Sequence, residues 1–269
     1  MLFRSVVISI GASIGPILGG YFANGPWFST LNYSLPYILA MVFALLTVIS
    51  VTLFMRDESE TQASIKNNFS ELLRLFFDKK ILKISLLLCL VQISWGSYYQ
   101  FMPPVLKEMF HFSESQVGWF VGLVAVWLAL ASGFLVPFFS RTMSQKKIIH
   151  YCSLVLLLGF CVTFFAFIFN QANIARGFLW CGAVLIAASD VIIYAIIATL
   201  YSNAVNKDQQ GAVMGVCFIV FSLVWALVAL LGGFFSGVSV SLPIWLGAIG
   251  IVIVLLCGFV ENNKLGEKT

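Results

Sequence analysis

The sequence is short of charge. Of its 269 residues, 15 are Lys or Arg and 11 are Asp or Glu, 10% in all, where soluble domains carry about 25%. That scarcity excludes a water-soluble globule, because no compact fold of this size has interior enough to hide the apolar remainder. Histidine is rarer still. His111 and His150 have no partners at metal-ligand spacing, so a histidine-built metal centre is not expected. The six cysteines form no Cys-x-x-Cys pair and read as small apolar fillers inside hydrophobic runs. No phosphate-cradling loop, nucleotide fingerprint or low-complexity tract is present. The net charge of +4 calls for no nucleic acid, since its placement along the chain accounts for it.

What is abundant is apolar surface, 61% of residues, with a mean hydropathy of +1.01. Lipid acts as solvent for such a chain, and a spanning helix uses roughly 20 apolar residues. Near-continuous apolar runs fall at about 5–23, 33–55, 81–103, 114–139, 147–170, 176–202, 211–236 and 241–260. They predict an all-α integral membrane protein of about eight transmembrane helices.

An even number of crossings puts both termini on one side, and the cations choose which. Arg4, Arg56, Lys66, Arg74, Lys79, Lys80, Lys83, Arg141, Lys146, Lys147, Lys207, Lys264 and Lys268 fall on one face, against Lys107 and Arg176 on the other. The cation-rich face is expected to be cytoplasmic, with both termini there. Trp27, Trp119 and Trp245 stand near span ends, where indole rings favour the headgroup layer. Arg176 is expected to snorkel to headgroups, with ligand binding as the alternative.

The longest polar stretch runs from residue 56 to 80. Its second part, with Phe69, Leu72, Leu73 and Phe76 at helical spacing, reads as a short amphipathic helix on the membrane surface; a disordered linker is the alternative. The expected layout is two helices in 1–55, a cytoplasmic loop in 56–80, six helices in 81–260 and a cytoplasmic tail in 261–269.

The first span contains Gly11-Ala-Ser-Ile-Gly15-Pro16-Ile-Leu-Gly19-Gly20. Three glycines four residues apart share a helical face on which another backbone can approach closely, and Pro16 removes a donor and bends the helix. This pattern resembles the fifth-helix motif of the major facilitator superfamily, especially its proton-coupled drug exporters of the tetracycline type. The family motif begins with one more glycine, where this sequence has Leu2. Gly19-Gly20-Tyr21-Phe22-Ala23 is echoed by Gly232-Gly233-Phe234-Phe235-Ser236, and the family's two halves are parallel repeats in which the fifth and eleventh helices correspond. The stretch from Gly133 to Lys147 resembles the basic loop after the eighth family helix, with Ser140-Arg141 and Gln145-Lys146-Lys147 in place of the usual Asp-Arg and Gly-Arg pairs. Gln209-Gln210-Gly211 to Gly215 also looks like the drug exporters.

The resemblance implies a partial bundle, family helices five to twelve. That is two helices of an N-terminal half and a complete six-helix C-terminal half, with the missing N-terminal helices supplied by a longer chain or another polypeptide. It further implies a multi-pass protein of a bacterial inner membrane that exports a small drug-like or metabolite molecule by alternating access. The proton gradient would be the energy source, with no cofactor.

Asp190 lies near the middle of the sixth span, where a charged carboxylate is costly and needs a partner, water or a proton. Tyr194 lies one turn on. The third span carries Gln92, Gly96 and Gln100 at intervals of four, with Trp95 and Tyr99 beside them and Tyr98 adjacent. Aromatic rings with a few hydrogen-bonding groups and one acid suit a bulky, amphipathic, cationic ligand. The structural alternative is that Asp190 and the glutamines hydrogen-bond neighbouring helices and hold the spans together. The resemblance assigns these residues to the cavity-lining tenth and seventh family helices.

Two other functions compete. Ser132, in Ala-Ser-Gly, is the one tempting nucleophile for an intramembrane enzyme, but no histidine supports it, so an enzyme is not expected. The second is a remnant or one part of a split transporter, unable to transport alone.

Overall fold

The computed structural model describes residues 2–23, 34–54, 74–169 and 172–256. Eight helices fill most of this: α1 (Leu2–Ala23), α2 (Leu35–Phe54), α3 (Lys79–Glu108), α4 (Glu114–Thr142), α5 (Gln145–Ile168), α6 (Ala172–Asn203), α7 (Gln210–Ser236) and α8 (Leu242–Leu256). Their places match the eight apolar runs of the sequence. Six of them, α2 to α7, are long and apolar enough to cross a bilayer. α1 has the length of a span at 22 residues, and α8 is a shorter apolar helix of 15. The chain is an all-helical, multi-pass membrane protein.

Local sequence sets the ends. Asp78 caps α3 by accepting from the backbone N–H of Lys80 at 2.8 Å and Ile81 at 3.2 Å. Ser113 and Gln116 form a reciprocal capping box at the start of α4. Within α4 the backbone widens into a π-turn over Ala131–Leu135. Pro137, which has no N–H to return to Gly133, follows directly. The expected basic loop shrinks to Met143 and Ser144. Arg141 therefore ends α4, while Lys146 and Lys147 open α5.

Short connections make successive helices antiparallel, and named contacts confirm the directions. Gly159 and Thr163 of α5 meet Ile186 and Gly182 of α6; Leu90 and Ser97 of α3 meet Gly250 and Gly247 of α8. One end of the bundle thus carries Lys79, Lys80, Lys146, Lys147 and Lys207, and the other carries Lys107 and Arg176. α3 sits innermost, against α6, α7 and α8, and its buried face includes Leu88, Val91, Tyr98, Met102 and Leu106. Hydroxyls tie it in place: Ser94 Oγ donates to Gly247 O at 2.7 Å and Tyr201 Oη to Ser85 Oγ at 2.7 Å.

α1 lies along α4 on a face that includes Pro16 and Gly20 of the motif but not its other glycines. A Cβ placed on Gly11, Gly15 or Gly19 would meet nothing within 4 Å. The close approach runs one stripe over, through Ser13, Pro16, Ile17 and Gly20, where a Cβ on Gly118 of α4 would lie 3.1 Å from Gly20 Cα. Beyond α1, α2 touches little else. Phe69, Leu72 and Leu73 of the expected surface helix, Trp27, and the expected tail 261–269 lie outside the described residues.

Candidate functional site

The array that unites the expected site residues lies where α3, α6 and α7 converge. On α3, the glutamine stripe faces α7 and meets a single residue, Trp225. Its indole Nε1 donates to Gln92 Oε1 at 3.1 Å, and Gln100 Nε2 donates to the Trp225 carbonyl at 3.4 Å. Gly96 packs beside the ring, and a Cβ there would make an ordinary contact 3.8 Å from the indole nitrogen. Both glutamines therefore bridge helices.

Around this anchor the rings make a continuous line. Trp95 lies 5.2 Å from Tyr99, Tyr99 lies 5.9 Å from Trp225, Trp225 stacks on Phe221 at 5.1 Å, and Phe221 meets Tyr194 of α6 edge-on at 5.9 Å. The last two pairs have the stacked and edge-to-face geometries that aromatic quadrupoles favour, and the first two are tilted between them. Trp95 is buried, while Tyr99, Tyr194, Phe221 and Trp225 are each half-buried and keep part of a face open. Pro103 and Pro104, inside α3, have no N–H for the carbonyls of Tyr99 and Gln100, so both oxygens are released from the helical ladder beside these rings.

Asp190 stands at the far end of the line. It is 4% exposed and lies about 27 Å from the start of α6 and about 20 Å from its end, at 1.5 Å per residue. Its Oδ1 has no hydrogen-bond partner, and the only ion pair among the described residues is Lys107–Glu114, at 2.9 Å. Tyr194 lies within electrostatic reach, with its hydroxyl against the Cys217 thiol. One more buried oxygen without a partner among the described residues, Ser153 Oγ, lies on α5.

So α3, α6 and α7 bring together Gln92, Trp95, Tyr99, Gln100, Tyr194 and Asp190. The glycine set of α1 and the cations Arg141, Lys146 and Lys147 lie apart from them. Sequence reasoning missed Trp225 and Phe221; their four-residue spacing in α7 was the available signal. Ser132 sits in the π-turn of α4.

The family profile of the Major Facilitator Superfamily matches residues 1–229 and again 84–267. This chain belongs to that superfamily. A solved structure described as that of a bacterial metal transporter superimposes with a TM-score of 0.62 at 15% identity, covering 95% of this chain. That likeness concerns the fold. The chain spans 64% of that neighbour's length. Among curated proteins, none matches.

Proposed function

We propose that this protein works as a proton-coupled secondary transporter that exports a small drug-like or metabolite molecule by alternating access, as in the tetracycline-type exporters it resembles. The observation that carries this reading is the buried, unpaired Asp190 at the end of a half-open aromatic line. A carboxylate so deep in a span needs a compensating cation. No side-chain cation reaches it among the described residues, so the compensating charge is a proton taken up and released during the cycle. The rings of Tyr99, Trp225, Phe221 and Tyr194, with the freed carbonyls of α3, offer stacking and acceptors to an amphipathic organic ligand. A metal cargo would call for a donor cluster, and among the described residues no three His, Cys, Asp or Glu side chains converge.

In this reading α1 and α2 correspond to family helices five and six and α3–α8 to helices seven to twelve, with 56–80 as the central cytoplasmic loop and 261–269 as a tail. The double match of one family profile supports it, because similar halves give overlapping matches. The cation-rich end of the bundle is cytoplasmic, both termini with it, in a bacterial inner membrane. The open glycine face of α1 and the bare α2 are where further helices, from a longer chain or another polypeptide, would lie. Without them the protein is a remnant or one part of a split carrier, and sequencing the coding DNA upstream of Met1 separates these cases.

Proteoliposomes holding this chain, with whatever helices its gene supplies in frame, test the mechanism. Asp190→Asn is expected to lower gradient-driven transport at least 100-fold, about the range of losing a positioned acid or base, while the size-exclusion profile stays that of the wild type. Equal gradient-driven transport by wild type and variant would remove Asp190, and the proton coupling assigned to it, from the mechanism.

A further inference from the structure

At the cation-poor end of the bundle, far from Asp190, the turn after α3 and the facing ends of α5 and α6 line a half-open cavity of about 280 Å³. Phe110, Phe167 and Phe169 form its walls, and the buried Ala166 and Ala175 leave the space open between them. Two basic side chains line it, His111 and Arg176. Its volume lies at or below the roughly 300 Å³ where pockets for drug-sized ligands begin, so it suits a compact headgroup better than a transported drug.

The guanidinium of Arg176 is the charge in this cavity that needs an answer. It lies 5.3 Å above the ring of Phe112, which steadies it by a cation–π contact but offers no acceptor to its N–H edges. The neighbouring cation, Lys107, is already paired with Glu114 at 2.9 Å, and Glu108 does not line the cavity. The first turn of α6 adds the positive end of a helix dipole from the same side.

His111 supplies an independent observation. The end of α3 is a Schellman turn, with the Phe112 N–H donating to the Leu106 carbonyl at 3.0 Å and His111 at the left-handed position, φ 54°. Glycine is the usual occupant there, and a side chain costs about 1 kcal/mol. His111 is thus a strained residue whose side chain lines the cavity beside an arginine that has no ion-pair partner among the described residues.

The surroundings narrow the ligand. Phe110 meets Phe167 at 5.4 Å, Phe167 meets Trp245 at 5.0 Å and Phe169 stacks on Phe178 at 5.3 Å. These rings lie at or near the ends of α3, α5, α6 and α8, and Trp245 among them is of the kind that favours the headgroup layer.

We propose that this cavity binds the phosphate of an anionic phospholipid headgroup between Arg176 and His111, with the phenylalanine walls holding its glycerol region. The proposal is independent of Asp190 and of the transported molecule. Its test uses the detergent-purified full chain, titrated with phosphatidylglycerol, with phosphatidylcholine and with inorganic phosphate, read by native mass spectrometry and by thermal unfolding. One phosphatidylglycerol is expected to be retained saturably and to raise Tm, with phosphatidylcholine about tenfold weaker, since its phosphate can make the same contact but its choline ammonium brings a second positive charge beside Arg176. Arg176→Gln should weaken phosphatidylglycerol about tenfold and Lys107→Gln should leave it unchanged. His111→Gly should weaken it too while the lipid-free Tm holds or rises. Equal retention by wild type and Arg176→Gln, or equal binding of the two lipids, overturns the site. Displacement of the lipid by millimolar inorganic phosphate overturns the lipid as occupant and leaves a free-anion site.

Discussion

α2 and α3 are both long enough and apolar enough to cross a bilayer, yet 67% of the most apolar window of α3 is buried inside the bundle and none of α2's is. α2 is the more apolar of the two. In lipid, apolarity does not draw helices together, because the tails are as apolar as leucine; small residues, hydrogen bonds and close surfaces do. α3 has them: Gln92 and Gln100 reach Trp225, and Ser94 reaches Gly247. The hydroxyls of α2 turn inward instead, Thr47 donating to the Phe43 carbonyl at 2.8 Å and Thr52 to Ile49 at 2.9 Å. Residues 40–53 are all exposed.

Substitutions that trade these properties break or sharpen the contrast. The largest effect belongs to the small-residue crossing of α5 and α6, where a Cβ on Gly182 would strike Thr163 Oγ1 and lie 3.0 Å from the Gly159 carbonyl. Gly182→Leu should cost about 3 kcal/mol by overpacking, seen as a drop in Tm of the purified protein; an unchanged Tm would show that the two helices separate freely. Ser94→Ala removes one interhelical hydrogen bond and should cost about 1 kcal/mol, in the range measured inside membranes, in a denaturant titration in mixed micelles. Smallest is Thr47→Val on α2, which should shift stability by less than about 0.5 kcal/mol. A loss as large as that of Ser94→Ala would mean that α2 is held by contacts of its own.

The helix pattern was legible because apolar runs of membrane length are a strong signal. Their ends were less so: the apolar run was read to about 103, yet α3 continues through Pro103 and Pro104 to Glu108, since proline is tolerated in spans whose freed groups find other partners. Asp190 stood out, as one acid in a long apolar run does. Trp225 did not, because α7 is apolar on every side and its sequence does not reveal which face meets α3. The glycine motif of α1 divides: Pro16 and Gly20 meet α4, while Gly11, Gly15 and Gly19 face nothing among the described residues.

The π-turn of α4 has a consequence for anyone who probes this protein by scanning. It takes in one residue more than an α-turn, so everything after Leu135 is rotated by about 100° relative to an uninterrupted helix. The face that carries Gly118 and Gly122 to α1 does not continue in phase toward Arg141. Accessibility measured residue by residue along α4 should therefore oscillate with one phase up to Leu130 and another from Val136, and a single helical wheel drawn through the whole segment would assign its last two turns to the wrong neighbours.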